Sequence, residues 1–186
     1  VLEQAEACRC FASGMAATSA VLFSVLKSGD RLVMSDTNYP GTAELARNNL
    51  SRMGVEVVTA NFSDLEAVAR AVTPETVLVW GETPANPTTR ITDIAAVAEI
   101  AHRQNARLAI DSTFATPIAT RPIALGADYV IHSFRHSMRD RLRAVNCPSD
   151  MIDQIGGWSS GKVGEGYGDG FCITSMFDFM KPIVLI

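Results

Sequence analysis

The strongest constraint on the fold is the regular alternation of short apolar segments with longer segments of helical period. The apolar segments have the length and composition of buried strands, and they are 31–36, 55–61, 76–82, 107–111 and 127–133. Helices are predicted between them at 14–27, 41–53, 63–71 and 93–104, with Ser63 and Asp93 as N-caps and Gly29 and Gly54 as stops. The alternation predicts an α/β fold, a mostly parallel sheet with helices on both faces.

This alternation stops near residue 134. Residues 135–143, RHSMRDRLR, contain four arginines and one aspartate, and residues 155–170 are rich in glycine. Glycine at this density favours neither a helix nor a strand. We therefore divide the chain into a domain of residues 1–133 and a short helical tail of residues 134–186. We expect the tail to pack poorly and to expose apolar residues in 171–180.

Composition narrows the class of protein. With 186 residues, of which 47% are hydrophobic, the chain can bury a core, and its formal charge of −4 gives no global reason to expect nucleic-acid binding. The four cysteines form no CxxC pair, so we predict neither a metal site nor a disulfide framework. No apolar segment is long enough to cross a membrane. These features favour a cytoplasmic protein, and the start at Val1 suggests a truncated amino terminus.

Several polar or aromatic residues stand where ligands bind to parallel sheets, at the carboxyl ends of predicted strands. Ser13, Gly14 and Met15 open the first helix, whose free N–H groups and positive dipole end can hold a phosphate. Tyr39 and the loop ETPANP (82–87) each follow a predicted strand, and Asp111 ends another. A planar cofactor with a phosphate group needs a ring to stack on, a donor near its phenolic oxygen and an anion opposite its pyridine nitrogen. Taken singly, each residue has an ordinary alternative explanation, as a helix cap, a packing aromatic or a turn former.

The order of these elements resembles the trans-sulfuration family of fold type I pyridoxal-phosphate (PLP) enzymes. This Cys/Met metabolism family includes cystathionine synthases and lyases, methionine lyase and homoserine-ester sulfhydrylases. The resemblance runs through SGMAATSA, GDRLV, the Tyr39 turn, ETPANP, DSTFATP and LGADYVIHS in family order. It implies a PLP-transferase-like large domain, a lyase or transferase reaction on a small amino-acid substrate, and a homo-oligomer.

The resemblance also implies which residues bind PLP. Gly14 and Met15 would bind the phosphate through backbone amides, Tyr39 would stack on the ring, and Asp111 would pair with the pyridinium nitrogen. Ser133 would touch the phosphate. The full cofactor-binding set implied is Ser13, Gly14, Met15, Tyr39, Asn86, Asp111, Thr113 and Ser133.

One position departs from the family pattern. In the family, the His-Ser pair after the last strand is followed by one residue, a threonine and then the lysine that forms a Schiff base with PLP. Here Ser133 is followed by Phe134, Arg135 and His136, so a histidine stands at the lysine position. Because an imidazole cannot form this bond, covalent attachment of PLP is not expected, and no intact catalytic residue for PLP chemistry is predicted. The family's amino-terminal segment and carboxy-terminal domain also have no counterpart, so residues 1–133 are expected to be a partial core with impaired activity.

Residues 132–186 carry a second resemblance, to the carboxy-terminal catalytic part of tyrosine recombinases, or phage integrases. It rests on His132, Arg135, Trp158 and Tyr167 and on their spacing. It implies Tyr167 as a nucleophile toward a DNA phosphodiester, with His132 and Arg135 as phosphate binders and Trp158 as a supporting residue. The other interpretation is that Trp158 and Tyr167 are core or turn aromatics and that the arginines form a solvated helix face.

Three functional hypotheses result. The first is a PLP-dependent trans-sulfuration core that is catalytically impaired. The second is a DNA strand-transfer fragment of integrase type, the only case in which DNA is a partner, and the third is a non-catalytic remnant that binds PLP or phosphate. The two resemblances overlap at residues 132–133, which predicts a chimeric chain, joined either naturally or by assembly or cloning. The sulfur substrate and the oligomeric state stay open.

Overall fold

The computed structural model describes residues 3–132, 142–156 and 172–184. The chain divides into two compact units, Val1–Ser133 and Phe134–Ile186. The division falls where the alternation of strands and helices in the sequence ends.

The first unit is built on a five-stranded sheet in which every neighbouring pair of strands is parallel. Its strands are β1 (Arg31–Ser35), β2 (Glu56–Ala60), β3 (Thr76–Glu82), β4 (Arg107–Asp111) and β5 (Tyr129–Ile131). The predicted α/β fold with a parallel sheet is confirmed, β3 and β4 having the predicted bounds. The strand order is β2-β1-β3-β4-β5, so the direction of progress across the sheet reverses at β1. In sheets of this kind, ligands bind in the crevice at the reversal.

The helices of this unit are α1 (Gly14–Val25), α2 (Pro40–Leu45), α3 (Leu65–Ala71), α4 (Ile94–Arg103) and the single turn α5 (Thr116–Ala119). The predicted helix 41–53 consists of three successive forms, since α2 continues as a π-helix and then as a 3-10 turn. It ends at Gly54, which adopts the left-handed conformation (φ 85°) that favours glycine. Asp93 caps α4, as predicted.

Successive residues of the strands point into two separate hydrophobic cores, one on each face of the sheet. The core on the side of α1 and α2 includes Leu22, Leu32, Leu50, Leu78 and Trp80. The core on the side of α3 and α4 includes Val33, Val68, Val79, Val97 and Ile110. Because helices cover both faces, the polar residues at the carboxyl ends of the strands are the groups that remain available for a ligand.

The second unit is helical in its described part, which agrees with the predicted tail. It contains α6 (Ser149–Gly156) and α7 (Ile173–Val184). Leu142, Cys147, Met151 and Ile152 are buried together, and Met176 and Phe179 pack against them. The expectation of exposed apolar residues in 171–180 is contradicted in part, because Met176 and Phe179 on α7 are partly buried against this small core. Within the described residues, no helix is long and apolar enough to cross a membrane.

The start of α3 differs from the prediction. Asp64, rather than Ser63, is the N-cap, and its carboxylate accepts hydrogen bonds from Glu66 N at 3.0 Å and Ala67 N at 3.1 Å. The backbone N–H of Ser63 donates instead to Asn61 Oδ1 at 3.0 Å. A carboxylate at this position satisfies two free N–H groups and interacts favourably with the positive end of the helix dipole. The N-cap prediction was wrong by one residue because Ser and Asp are both good caps and stand side by side.

This assignment predicts that Asp64→Ala lowers the free energy of unfolding by about 1 kcal/mol, the usual effect of removing an N-cap. Ser63→Ala, the matched control, should change it by less than about 0.5 kcal/mol. The measurement is urea unfolding followed by the fluorescence of the buried Trp80, with Trp158 replaced by Phe in every variant. Equal losses in the two variants would show that Asp64 is not the cap.

Candidate cofactor site

The predicted cofactor residues that lie in the described part of the chain occupy four segments of the first unit. These segments are the start of α1, the turn after β1, the loop after β3, and the end of β4 with the residues that follow it. They hold, in that order, Ser13 with Gly14 and Met15, Tyr39, Asn86, and Asp111 with Thr113. Because the strands are parallel, the ends of β1, β3 and β4 lie at the same edge of the sheet.

The start of α1 has the features of an anion-binding helix end. Ser13 is the N-cap, and its Oγ accepts a hydrogen bond from Ala16 N at 3.1 Å. The N–H groups of Gly14 and Met15, in the first turn, precede the first intrahelical donor. A Cβ built on Gly14 would meet no atom within 4 Å, so there is open space directly beside this backbone. A phosphate can therefore approach the N–H groups and the positive end of the helix.

Tyr39 lies beside this helix start. A Cβ built on Gly41 would come within 2.7 Å of the Tyr39 ring and 3.0 Å of Met15 Sδ, so the ring packs directly over Gly41 and close to Met15. Tyr39 is nevertheless 46% exposed. The ring is thus supported by the protein and still accessible to a planar ligand, as the predicted stacking requires.

Glu82, the last residue of β3, connects Tyr39 with Asn86. It is buried, and its Oε2 accepts a hydrogen bond from the Tyr39 backbone N–H. Its Oε1 accepts one from Asn86 N at 2.9 Å. Burial raises the pKa of the Glu82 carboxyl, the two backbone N–H groups lower it, and the nearby Asp111 carboxylate raises it; the net shift is upward. The loop after Glu82 contains cis peptide bonds before Pro84 and Pro87.

Asp111 ends β4 directly opposite Glu82 in the parallel register. Its Oδ1 accepts a hydrogen bond from Thr113 N at 3.0 Å. Burial raises the pKa of Asp111, and the hydrogen bonds from Thr113 and the proximity of His132 lower it by less. An aspartate in these surroundings gains from a neighbouring cation, and a protonated pyridine nitrogen is such a cation.

His132 belongs to the predicted recombinase set and to the motif LGADYVIHS of the PLP-family resemblance, and the structure places it near Asp111. Its Nδ1 lies 3.2 Å from the Ser112 carbonyl oxygen, and its Nε2 lies 2.6 Å from Glu3 Oε1. The side chains of His132 and Glu3 are only 12% and 10% exposed. Ser133 and His136, and the recombinase residues Arg135, Trp158 and Tyr167, lie outside the described residues. The recombinase set therefore stays a prediction.

Three residues that the sequence prediction did not assign shape this edge of the sheet. They are Gly41, which accommodates the Tyr39 ring, Glu82, which bridges two loops, and Glu3, which pairs with His132. For Glu82 a signal was present, since a carboxylate ending the apolar strand 76–82 needs hydrogen-bond donors. For Gly41 and Glu3 the local sequence holds no such signal.

Within the described residues, no group of three or more His, Cys, Asp or Glu side chains could hold a metal ion.

These features fit PLP. The helix start suits the phosphate, the exposed face of Tyr39 suits the aromatic ring, and the partly buried carboxylate of Asp111 suits the pyridine nitrogen. Asn86 is held close to Tyr39 through Glu82. The residues present thus supply each interaction that the cofactor ring and its phosphate require.

The raised pKa of Asp111 predicts how the stability of the chain without PLP depends on pH. The ordinary value is 3.8, and burial makes the charged form costlier in the folded than in the unfolded state. Protonated Asp111 therefore makes its full contribution to the free energy of unfolding below pH 3.8, and this contribution is lost as the pH rises through the raised pKa. In the variant Asp111→Asn the side chain cannot ionise, so this stability is not lost as the pH rises. The amide oxygen of the asparagine can still accept a hydrogen bond from Thr113 N.

We therefore expect Asp111→Asn to unfold at higher urea concentration than the unsubstituted chain at pH 7. The difference should shrink as the pH falls and vanish below 3.8, where Asp111 is protonated in both the folded and the unfolded state. The measurement is urea unfolding across this pH range without PLP, with Glu44→Gln, an exposed carboxylate on α2, as the control. A difference that does not vary with pH would contradict the prediction.

Comparisons with known proteins agree with this geometry. The model of the family "Cys/Met metabolism PLP-dependent enzyme" matches residues 1–138, a segment that includes His136. Cystathionine gamma-synthase of Mycobacterium tuberculosis is 42% identical over 132 residues, which are 71% of this chain and 34% of that protein. Cystathionine beta-lyase MetC of Staphylococcus haemolyticus is 46% identical over 123 residues, 66% of this chain and 31% of that protein.

A solved structure shares the fold as well. The crystal structure of metB from Corynebacterium glutamicum matches with a TM-score of 0.69 and 43% identity, over 71% of this chain and 34% of that one. The chain thus spans about a third of the length of the relatives it matches. By the family match over residues 1–138 and by the site that those residues build, this chain belongs to the Cys/Met metabolism family of PLP-dependent enzymes, whose cofactor is pyridoxal phosphate.

Proposed function

We propose that residues 3–132 are the cofactor-binding part of a trans-sulfuration enzyme for a sulfur-containing amino acid, and that this chain binds PLP without covalent attachment. When bound, PLP withdraws electrons from the α-carbon of an amino acid. The observation that carries the proposal is the convergence of an open helix start, an accessible aromatic ring and a partly buried carboxylate at one edge of the sheet. The relatives named as cystathionine synthase and lyase support cystathionine as a substrate or product, and the family resemblance of the sequence extends the substrate class to methionine and homoserine esters.

Each residue of the proposed site has a binding or orienting role. The N–H groups of Gly14 and Met15 hold the phosphate, with Ser13 keeping the helix end in place. Tyr39 provides the stacking surface, and Asn86 provides a donor near the phenolic oxygen. Asp111, oriented by Thr113, keeps a proton on the pyridine nitrogen. Ser133 joins the phosphate contacts by its place in the family pattern.

The distribution of lysines supports non-covalent binding. Lys27 is the single lysine among residues 1–133, and the other two in the chain are Lys162 and Lys181. Lys27 lies in the turn between α1 and β1, where its backbone N–H donates to Asp30 at 2.8 Å. This turn precedes β1 and so lies at the amino edge of the sheet, opposite the proposed site. His136 can exchange a proton but has no primary amine for attachment.

We expect purified chain to bind PLP reversibly, with inorganic phosphate as a competitor. Treatment of the complex with borohydride should fix no stoichiometric pyridoxyl group on the unsubstituted chain. His136→Lys should become labelled at residue 136, as determined by peptide mass spectrometry. His102→Lys, an equivalent change at the exposed end of α4, is the matched control and should stay unlabelled there.

Three results would overturn the proposal. Stoichiometric labelling of the unsubstituted chain at Lys162 or Lys181, suppressed by phosphate, would show that another lysine reaches the site. Absence of saturable PLP binding by both the unsubstituted chain and His136→Lys would show that the edge of the sheet is not a PLP site. Labelling of His102→Lys at residue 102 to the same extent as residue 136 would show that the reaction is not specific to the site.

A further inference from the structure

The two loops that carry Tyr39 and Asn86 leave neighbouring strands on opposite sides of the strand-order reversal. Tyr39 follows β1 and leads into α2, which packs on one face of the sheet, and Asn86 follows β3 and precedes α4, which packs on the other. The loops therefore run to different faces of the sheet. Neither α2 nor α4 crosses the crevice between the loops, so neither helix fixes the width of the crevice. The stacking surface and the donor to the same ring lie on either side of this crevice.

Two side-chain contacts join the two loops. One is exposed, the salt bridge between Arg90 in the loop after β3 and Asp36 in the loop after β1 at 2.8 Å, and the other, through Glu82, is buried. Glu82 is 7% exposed, and each of its carboxylate oxygens accepts a backbone N–H from a different loop, Oε2 from Tyr39 and Oε1 from Asn86. Tyr39 and Glu82 are 43 residues apart in the chain, whereas Asn86 follows Glu82 by four. The Glu82 carboxylate thus links the loop after β1, which is distant in sequence, to the loop after β3, which follows Glu82 directly.

We propose that Glu82 is a positioning residue that sets the Tyr39 ring and Asn86 at the separation needed to hold the pyridine ring of PLP between them. The inference rests on the proposed function, since it assigns Tyr39 and Asn86 to the ring. The inference goes beyond the proposed function because it assigns the geometry of the crevice to Glu82, a residue that does not itself touch the cofactor.

The chemistry of the contact requires an ionised carboxylate. Only this group offers two acceptor oxygens and no donor, and hydrogen bonds to it are stronger than those to a neutral group. A glutamine would offer one oxygen and one NH2 group, which leaves one of the two N–H groups without an acceptor. An aspartate keeps both oxygens on a shorter side chain.

Fixing the Tyr39 backbone also fixes its ring. Tyr39 is the N-cap of α2, and its side chain makes no capping bond, while its carbonyl accepts from Thr42 N at 3.0 Å and Ala43 N at 3.2 Å. The ring is confined on one side by Gly41. A shift of the Tyr39 N–H would therefore carry the start of α2 and the stacking surface with it.

The test uses the full chain labelled with 15N and free of PLP. In the unsubstituted protein, the amide resonances of Tyr39 and Asn86 should titrate together with one midpoint above the ordinary glutamate value of 4.5, because burial and Asp111 on β4 both raise the pKa of Glu82. Glu82→Gln should abolish this shared titration, and Glu82→Asp should restore it in part. Glu44→Gln, on the exposed side of α2, is the matched control and should leave it unchanged.

The second measurement is the affinity for PLP compared with that for inorganic phosphate. Glu82→Gln should weaken PLP binding by about tenfold, the effect of leaving one buried donor unpaired. It should leave phosphate affinity at the α1 start within about twofold, which a general loss of structure would not do. Unchanged PLP affinity in Glu82→Gln, or amides of Tyr39 and Asn86 that titrate independently, would overturn the inference.

The two readouts separate this inference from the proposed function. If the unsubstituted chain binds no PLP but Glu82→Gln abolishes the shared titration, the proposed function and the cofactor role of Glu82 are both wrong. Only the hydrogen-bonded link that Glu82 makes between the two loops is then supported. If the chain binds PLP and the titration is absent, the proposed function stands and the role of Glu82 fails.

Discussion

The parallel pairing of β1 with β2 on one side and β3 on the other is the interaction on which the site depends. It gathers the carboxyl ends of strands that are distant in sequence at one edge, and it reverses the strand order there. Because the chain continues from β1 to one face of the sheet and from β3 to the other, the loops separate and a crevice forms between them. Every proposed cofactor-binding residue in the described part of the chain lies along that edge or at the helix start beside it.

The same edge holds two carboxylates at directly paired positions, the buried Glu82 on β3 and the partly buried Asp111 on β4. Each has a pKa raised mainly by burial, so each destabilises the folded chain when ionised. They differ in how the charge is compensated. Both oxygens of Glu82 accept backbone N–H groups, one from each of two loops of the chain itself, and its pKa is still raised because burial outweighs these hydrogen bonds. Asp111 receives hydrogen bonds from Thr113 and still has a raised pKa, so a bound cation would stabilise it further. One carboxylate therefore shapes the site, while the other favours its occupation.

The sequence predicted those features that depend on local pattern. The bounds of β3 and β4 follow from apolar segments that end at a charged residue, and Tyr39, Asn86 and Asp111 could be placed because they follow such segments. The strand order could not be predicted, because periodicity shows that a strand exists and not which strand it pairs with. The Glu82 contact with Tyr39 spans 43 residues and the Glu3 contact with His132 spans 129, and both depend on that order. The cap at Asp64 was missed for a smaller reason, since two adjacent residues had similar propensities.

Binding of PLP and covalent chemistry with it depend on different parts of this chain. The proposed binding groups in the described residues come from α1 and the ends of β1, β3 and β4, which are anchored in two hydrophobic cores. The lysine position, by contrast, follows β5, a strand of three residues at the edge of the sheet that pairs only with β4 among the described strands. A change after β5 leaves the paired strands and both helix layers untouched. A histidine at residue 136 is therefore compatible with a folded cofactor site, although it removes the amine through which members of this family bind PLP.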